Sequence, residues 1–559
     1  MQFKQPNRFC LWTIIAGSML GAFAAIVPSA AQAPSALSGQ VTSVQEPTME
    51  GVLVNVKREG TTITTTVVTN EQGRYSLPAD RLQPGKYTIS IRAVGYILDG
   101  PKSVEIPAGG NATADLKLNR ARNIHLQLSN GEWLASLPGT DRDKQFLTNC
   151  TGCHTLQRLF TAQHDVDEWI QVFNRMGRYY PGSTPAQPQL LVSGGARSER
   201  PRVNPKIAKQ AAQFMVDVSL TNPDAKEYEF KPLPRPKGRA TRVIITEYDL
   251  PRKNAYPHDV VVDPDGNAWY SDFGSQVMGV LDPKTGKVID YDIPVVRPEQ
   301  PKGTLDLQLD RDGNLWIAMM YQSGIAKMDR QTRKLTVYPY PKEWLGFSTQ
   351  ASMVAPRFSH VDGKVWSNNQ ETREYYRLDV ATGKFENTGK AIDKNGKQIS
   401  AYGIPTDHEN NMYLLEFGGT SIGRRDAKTL DVEIWQTPFP NSRPRRGGVD
   451  HLNRLWFAEY NGGIAMFDPK TKTIKEWMTP TKWDNPYGVV AARNGEVWTG
   501  SMHTDLVTRL FPESGDMVQY LLPRTTNIRR VFVEETGPRP VLWVGSNHGA
   551  SIVRVETLD

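Results

Sequence analysis

An aromatic residue returns seven times in the C-terminal part of this 559-residue chain, at Trp269, Trp316, Trp366, Tyr413, Trp456, Trp498 and Trp543, with spacings of 42 to 50 residues. Each marks a unit with the same punctuation, as in "DPDGNAWYSDFGSQVMGVLDPKTGKVIDYDIP" from Asp263 and "DRDGNLWIAMMYQSGIAKMDRQTRKLTVYPYP" from Asp310. A turn leads into the aromatic strand, a glycine follows, a second strand ends near Asp and a third ends at Pro. One such unit cannot bury both of its faces, but copies packed side by side can. Four short strands at this period predict a seven-bladed β-propeller. The last unit ends "SIVRVETLD" without a fourth strand, while "RVIITEYDLP" (Arg242 to Pro251) stands ahead of the first unit and matches "KVIDYDIP". The N-terminal strand is therefore expected to complete the last blade. The D-x-D-G-N turns have the look of calcium loops, yet no acid recurs at the twelfth position. They are read as β-turns feeding the aromatic strand.

Ahead of the repeats the period changes. Between Ser38 and Leu118, stretches such as "GVLVNVKREG" and "GKYTISIRAVGY" alternate with period two and are rich in Val, Thr, Ile and Tyr, which predicts a small β-sandwich. On "TNEQGRYSLP" (Thr69 to Pro78) and "LQPGKYTISIRAVGY" (Leu82 to Tyr96) this zone resembles the carboxypeptidase regulatory-like (transthyretin-like) domain. The resemblance implies a spacer or docking module without catalytic residues. From about Arg120 to Asn222 the apolar residues fall at three- and four-residue steps, in "KQFLTNCTGCHTLQRLF", "DVDEWIQVFNRMGRYY" and "NPKIAKQAAQFMVDVSL", which predicts amphipathic helices. The fold class is thus mainly β, a propeller with an N-terminal β-sandwich and a small all-α domain. The expected boundaries are 1–33 for a leader, 34–119 for the sandwich, 120–225 for the helices and 226–559 for the propeller.

The leader opens with Lys4 and Arg8, continues through an apolar run from Leu11 to Val27 and ends Ala31-Gln32-Ala33, the pattern of a secretory signal peptide. A periplasmic or secreted protein without a membrane span after cleavage is expected. Cys10 lies in the leader, so Cys150 and Cys153 would be the only cysteines of the mature chain. A structural zinc site wants a second ligand pair, and neither another C-x-x-C nor an H-x3-5-H pair follows. A redox dithiol would sit at a strand-to-helix junction. With His154 directly after Cys153, the C-x-x-C-H pattern is the attachment signature of c-type haem, in which both thiols form thioethers and the histidine coordinates iron. Helices around this motif resemble a monohaem cytochrome c domain. The distal ligand is expected to be Met176, where a helix ends at Gly177; Met215, His164 and an open position are the alternatives.

The repeats resemble the virginiamycin B lyase (streptogramin lyase) family of seven-bladed propellers, on "YPHDVVVDPDGNAWYSD" (Tyr256 to Asp272), "RLWFAEYNGGIAMFDP" (Arg454 to Pro469) and "NPYGVVAARNGEVWTG" (Asn485 to Gly500). The family opens a cyclic depsipeptide lactone by elimination, using Glu-Pro-His and a Glu fourteen residues beyond that His, with a metal on the leaving or enolate oxygen. Here the one Pro-His is Pro257-His258, Tyr256 stands two before the histidine in place of Glu, and Asp272 follows it by fourteen residues. The last unit offers Arg529, Arg530, Ser546, Asn547 and His548, which do not match. Reading the two register positions round the ring gathers His258, Asp272, Tyr402, Glu416, Arg445, Glu459 and Tyr487 at the propeller mouth, a candidate pocket in which His258 and Asp272 are the catalytic candidates and a divalent metal is conceivable. Lysine and arginine exceed aspartate and glutamate by only 66 − 59 = 7, and "RPKGRATR" and "SRPRRGG" are short, which argues against nucleic acid as a partner. The expected function is electron transfer by an exported haem protein whose propeller binds a redox partner protein or a small-molecule substrate. A metal-assisted lyase and a binding module with a redox-sensing haem are the alternatives.

Overall fold

The computed structural model describes residues 34–194, 201–225 and 227–559; the expected leader lies outside them. Among the described residues no helix is long and apolar enough to cross a membrane. From Pro257 onward the chain forms antiparallel sheets in sequence order, beginning with Pro257–Val262, Ala268–Asp272, Val277–Leu281 and Val288–Asp292. The first strand of this sheet lies against the first strands of the next sheet and of the last, Leu307–Leu309 and Ile528–Glu534. This is the arrangement of a β-propeller, with first strands innermost.

Six of the marker aromatics sit in the second strand of their unit, Tyr413 sits in the first strand, Met412–Leu415, of a three-stranded sheet, and all seven are at most 2 % exposed. The turn ahead of it explains the recurring acid. Asp263 Oδ1 accepts from the backbone N–H groups of Asp265 and Asn267, both at 2.9 Å, and Oδ2 accepts from Trp269 Nε1 at 2.8 Å. Asp310 and Asp450 do the same for Trp316 and Trp456, at 3.0 and 2.9 Å. The acid thus closes the turn and satisfies a buried indole, a role that needs no calcium. Asp263→Ala strands that indole and two turn amides and is expected to cost about 1–3 kcal/mol, measured by urea unfolding.

The strand ahead of the first sheet does close the ring. Val243–Asp249 pairs antiparallel with the C-terminal strand Ser551–Thr557, from Val243 opposite Thr557 to Asp249 opposite Ser551. Its other edge pairs with Ile63–Val68 of the N-terminal domain, Ile244 opposite Val67. One eight-stranded sheet therefore runs from the propeller into the sandwich. A second sandwich sheet contains Ser35–Ser43, Arg74–Pro78 and Leu116–Arg120. Between the two lies a core that includes Leu37, Val54, Tyr75, Leu77 and Leu116.

The segment between sandwich and propeller is helical. Val166–Gly177 starts with a capping box, Asp165 accepting from Glu168 N–H and Glu168 from Asp165 N–H, and it buries Trp169, Val172 and Phe173. Ala208–Asp217 packs on it and buries Met215. The cysteine segment differs from the helix its periodicity predicts. One turn at Asp141–Lys144 and a 3-10 stretch Gln145–Asn149 lead into turns from Cys150 to His154, and helix resumes only at Gln157–Phe160. The cause is tertiary: the carbonyls of Thr151 and Gly152 receive hydrogen bonds from the propeller rather than from a following helical turn.

Candidate functional site

The turns from Cys150 to His154 form one wall of a cavity of about 520 Å³, within the range of roughly 300–1,000 Å³ usual for cofactor sites. Cys150, Cys153 and His154 line it together with Met176, Met215 and His164. The rest of the lining is largely apolar, with Phe146, Trp169 and Phe173 among it. The cysteines carry free thiols. Burial pushes Cys150 up to about 11, the reverse of the lowered value that a reactive dithiol needs. His154 Nδ1 lies 3.1 Å from the Thr155 carbonyl. A carbonyl can only accept, so the proton sits on Nδ1 and Nε2 keeps its lone pair. Burial also lowers the His154 pKa, which favours the neutral imidazole a metal requires.

These donors fit a covalently held haem: two thiols, a neutral imidazole with a free Nε2 and a thioether on one cavity. Met176 is half-buried at the end of its helix. Met215 is 1 % exposed within the helical core. His164 lies 3.5 Å from Glu168 and edge-on to Trp169. Among the described residues no group of three His, Cys, Asp or Glu could hold a metal ion, so neither a zinc half-site at Cys150 and Cys153 nor a divalent-metal site in the propeller has a completing cluster.

The axial end of the propeller is filled by this same segment. Thr151 O accepts from Asn527 Nδ2 at 3.3 Å and from His548 Nε2 at 3.1 Å. Gly152 O accepts from Arg529 at 3.0 Å and from the Tyr256 hydroxyl. The Thr151 hydroxyl is 2.9 Å from His503 Nε2, and Gly131 N–H donates to the His503 carbonyl at 2.6 Å. Tyr180, fully buried, packs with Tyr256, Phe273 and Tyr321. Burial beside Arg529 holds His503 and His548 down at about 3, so both are neutral donors and acceptors here.

Of the pocket read from the register, His258, Tyr487, Tyr402 and Arg445 come together. His258 Nδ1 donates to Asp259 at 2.7 Å, Nε2 accepts from the Tyr487 hydroxyl at 3.1 Å, and the Tyr402 and Tyr487 oxygens are 2.5 Å apart. The Arg445 guanidinium is boxed by aromatic rings, 3.9 Å from the Tyr487 centroid and 4.2 Å from that of Phe417. Burial keeps His258 at about 3. Asp272 is elsewhere engaged: its carboxylate pairs with Arg252 at 2.8 Å and accepts from Gly274 N–H at 2.9 Å. Glu459 is fully buried, and burial together with the neighbouring Glu476 raises it to about 9, so it is a neutral acid at pH 7. Glu416 folds back onto Gly419 of its own turn. Neither glutamate forms an ion pair with Arg445.

Deeper along the axis lies a charge network that periodicity did not reveal. Arg446 clasps Asp259 through two bonds of 2.8 and 2.9 Å and reaches Asp306, which Arg530 also holds at 2.7 Å. Burial acts to raise Asp259, yet Arg446 and His258 hold it well below the usual carboxylate range. Asp259 lies beside His258 in the sequence but off the register positions, and Arg446 beside Arg445; both pairs sit at strand irregularities, between Pro257 and Val260 and between Pro444 and Gly447, where simple alternation does not hold.

Among solved structures, a streptogramin B lyase superimposes with a TM-score of 0.49 at 18 % identity, covering 57 % of this chain and 100 % of its own. Virginiamycin B lyase from Staphylococcus aureus gives 0.48 at 17 %, covering 57 % of this chain and all of its own. The extracellular domain of a one-component system from B. thetaiotaomicron gives 0.42 at 14 %, covering 54 % of this chain and 40 % of that one. No curated protein matches the chain in sequence. Residues 36–119 match the carboxypeptidase regulatory-like domain family.

Proposed function

We propose that this is an exported c-type haem protein that carries single electrons, with a cytochrome c domain seated on a seven-bladed propeller. The observation that carries the reading is the single cavity shared by Cys150, Cys153, His154 and Met176. Haem bound there supplies reversible one-electron transfer. Cys150 and Cys153 would anchor it, His154 would supply Nε2 and Met176 a thioether. Trp169, Phe173 and Phe146 exclude water from the cavity and keep the imidazole neutral. The electron comes from a redox partner protein or a small-molecule donor. Elimination chemistry at His258 is not part of this reading, because both of its ring nitrogens are engaged and the side chain is buried.

The test is the protein produced with a working haem-attachment system. A pyridine haemochrome spectrum of c-type haem, with colour retained after acid–acetone extraction, is expected. Met176→Ala is expected to give a five-coordinate or water-ligated spectrum. A colourless wild type sinks the reading, and a ligand loss seen with Met215→Ala instead moves the distal position there.

A further inference from the structure

Two arginines stand beneath the cysteine turns without a carboxylate. Arg529 is 5 % exposed and Arg445 8 %. Among the described residues neither has an acidic oxygen within 4 Å, unlike Arg446 and Arg530 one strand position away. Arg529 donates instead to the Gly152 carbonyl, and its guanidinium lies 5.5 Å from the Tyr487 centroid and 5.9 Å from that of Phe273. The neutral amide of Asn547, turned so that its oxygen faces Arg529 Nε at 3.2 Å, completes its surroundings. His503 and His548, which also meet the turns, are uncharged, and Arg202, bonded to the Asn149 carbonyl, adds a further cation on the cavity itself.

A buried charge without a counter-ion is costly, so its retention at this place asks for a role. Gly152 directly precedes Cys153, so the cation is bonded to the backbone of the attachment segment itself. Oxidation of a haem removes one electron from the iron and leaves the group one unit more positive. A fixed cation in a surrounding of low dielectric opposes that change, and buried charges escape most of the screening by salt. The geometry points to Arg529, assisted by Arg445, as the propeller's setting of the haem midpoint potential: the propeller raises it by holding uncompensated positive charge against the Cys150–His154 turns. This rests on the haem reading above.

The experiment is spectroelectrochemical titration of the haem-loaded protein, following the ferrous absorption bands, for wild type, Arg529→Gln and Arg529→Lys at low and high ionic strength. The expected result is a lower midpoint for Arg529→Gln, a value near wild type for Arg529→Lys, and a difference that salt barely changes. Equal shifts in the two variants would assign the effect to the lost hydrogen-bond geometry and overturn the proposal, as would no shift in either. If Arg529→Gln does not accumulate in folded form, Arg445→Gln takes its place, since no Arg445 hydrogen bond reaches the cysteine turns. A lowered midpoint there supports the proposal and an unchanged one overturns it. A wild type without haem bands overturns the haem reading instead, and this inference with it, before any variant is compared.

Discussion

The Cys150→Ser, Cys153→Ser double variant is expected to lose essentially all acid–acetone-resistant colour. Thioether formation needs both sulfurs, and no other cysteine lies among the described residues to replace them. Cys153→Ser alone is expected to leave a single-thioether species with a shifted haemochrome band. The double variant should also unfold at a lower temperature than the haem-loaded wild type, because packing of the haem against Phe146, Trp169 and Phe173 and ligation by the distal thioether would be made only in the folded state. Its cavity of about 520 Å³ would otherwise stand open among Phe146, Trp169 and Phe173. Absorbance after extraction and a thermal melt check both points. Full colour in the double variant would show that the thiols do not anchor the group.

Arg446→Met is expected to be the most damaging single change in the propeller. It leaves Asp259 without its two-bonded partner and leaves Asp306 with Arg530 alone. Breaking a buried ion pair by removing one side costs about 3–5 kcal/mol, because the abandoned charge stays buried. Pairing the change with Asp259→Asn should recover part of that loss, since the stranded charge goes with it. Urea unfolding of the single and double variants measures the difference. A loss below about 1 kcal/mol for Arg446→Met, the range of surface pairs, would mean that water reaches the axis and solvates the carboxylates.

Periodicity carried much of the architecture. The seven aromatics, the turn acids six residues before Trp269, Trp316 and Trp456, and the strand Val243–Asp249 that closes on Ser551–Thr557 were all legible, because each repeats or completes a repeat. Contacts between unlike segments were not. Nothing in the spacing of Thr151 and Gly152 announces that their carbonyls will receive His548, Asn527, Arg529 and Tyr256, since a backbone acceptor leaves no mark in composition. The register reading brought His258, Tyr402, Arg445 and Tyr487 to one place, but it could not foresee that Arg252, in the loop ahead of the first innermost strand, would claim Asp272. Nor could it show that the chain itself covers the propeller mouth, so that His258, Arg445 and Tyr487 are buried rather than lining an open pocket.

The strand Val243–Asp249, bonded on one edge to the last strand of the chain and on the other to Ile63–Val68, has a consequence for how such a protein could be inherited. A propeller cut away from its sandwich would present Val243–Asp249 as a bare edge, with a row of unpaired N–H and C=O groups ready to recruit another chain. A gene rearrangement that dropped the first domain would thus yield a ring that sticks to its own kind. Selection against that outcome would keep the N-terminal module and the ring travelling together through descent, even if the module never touches an electron.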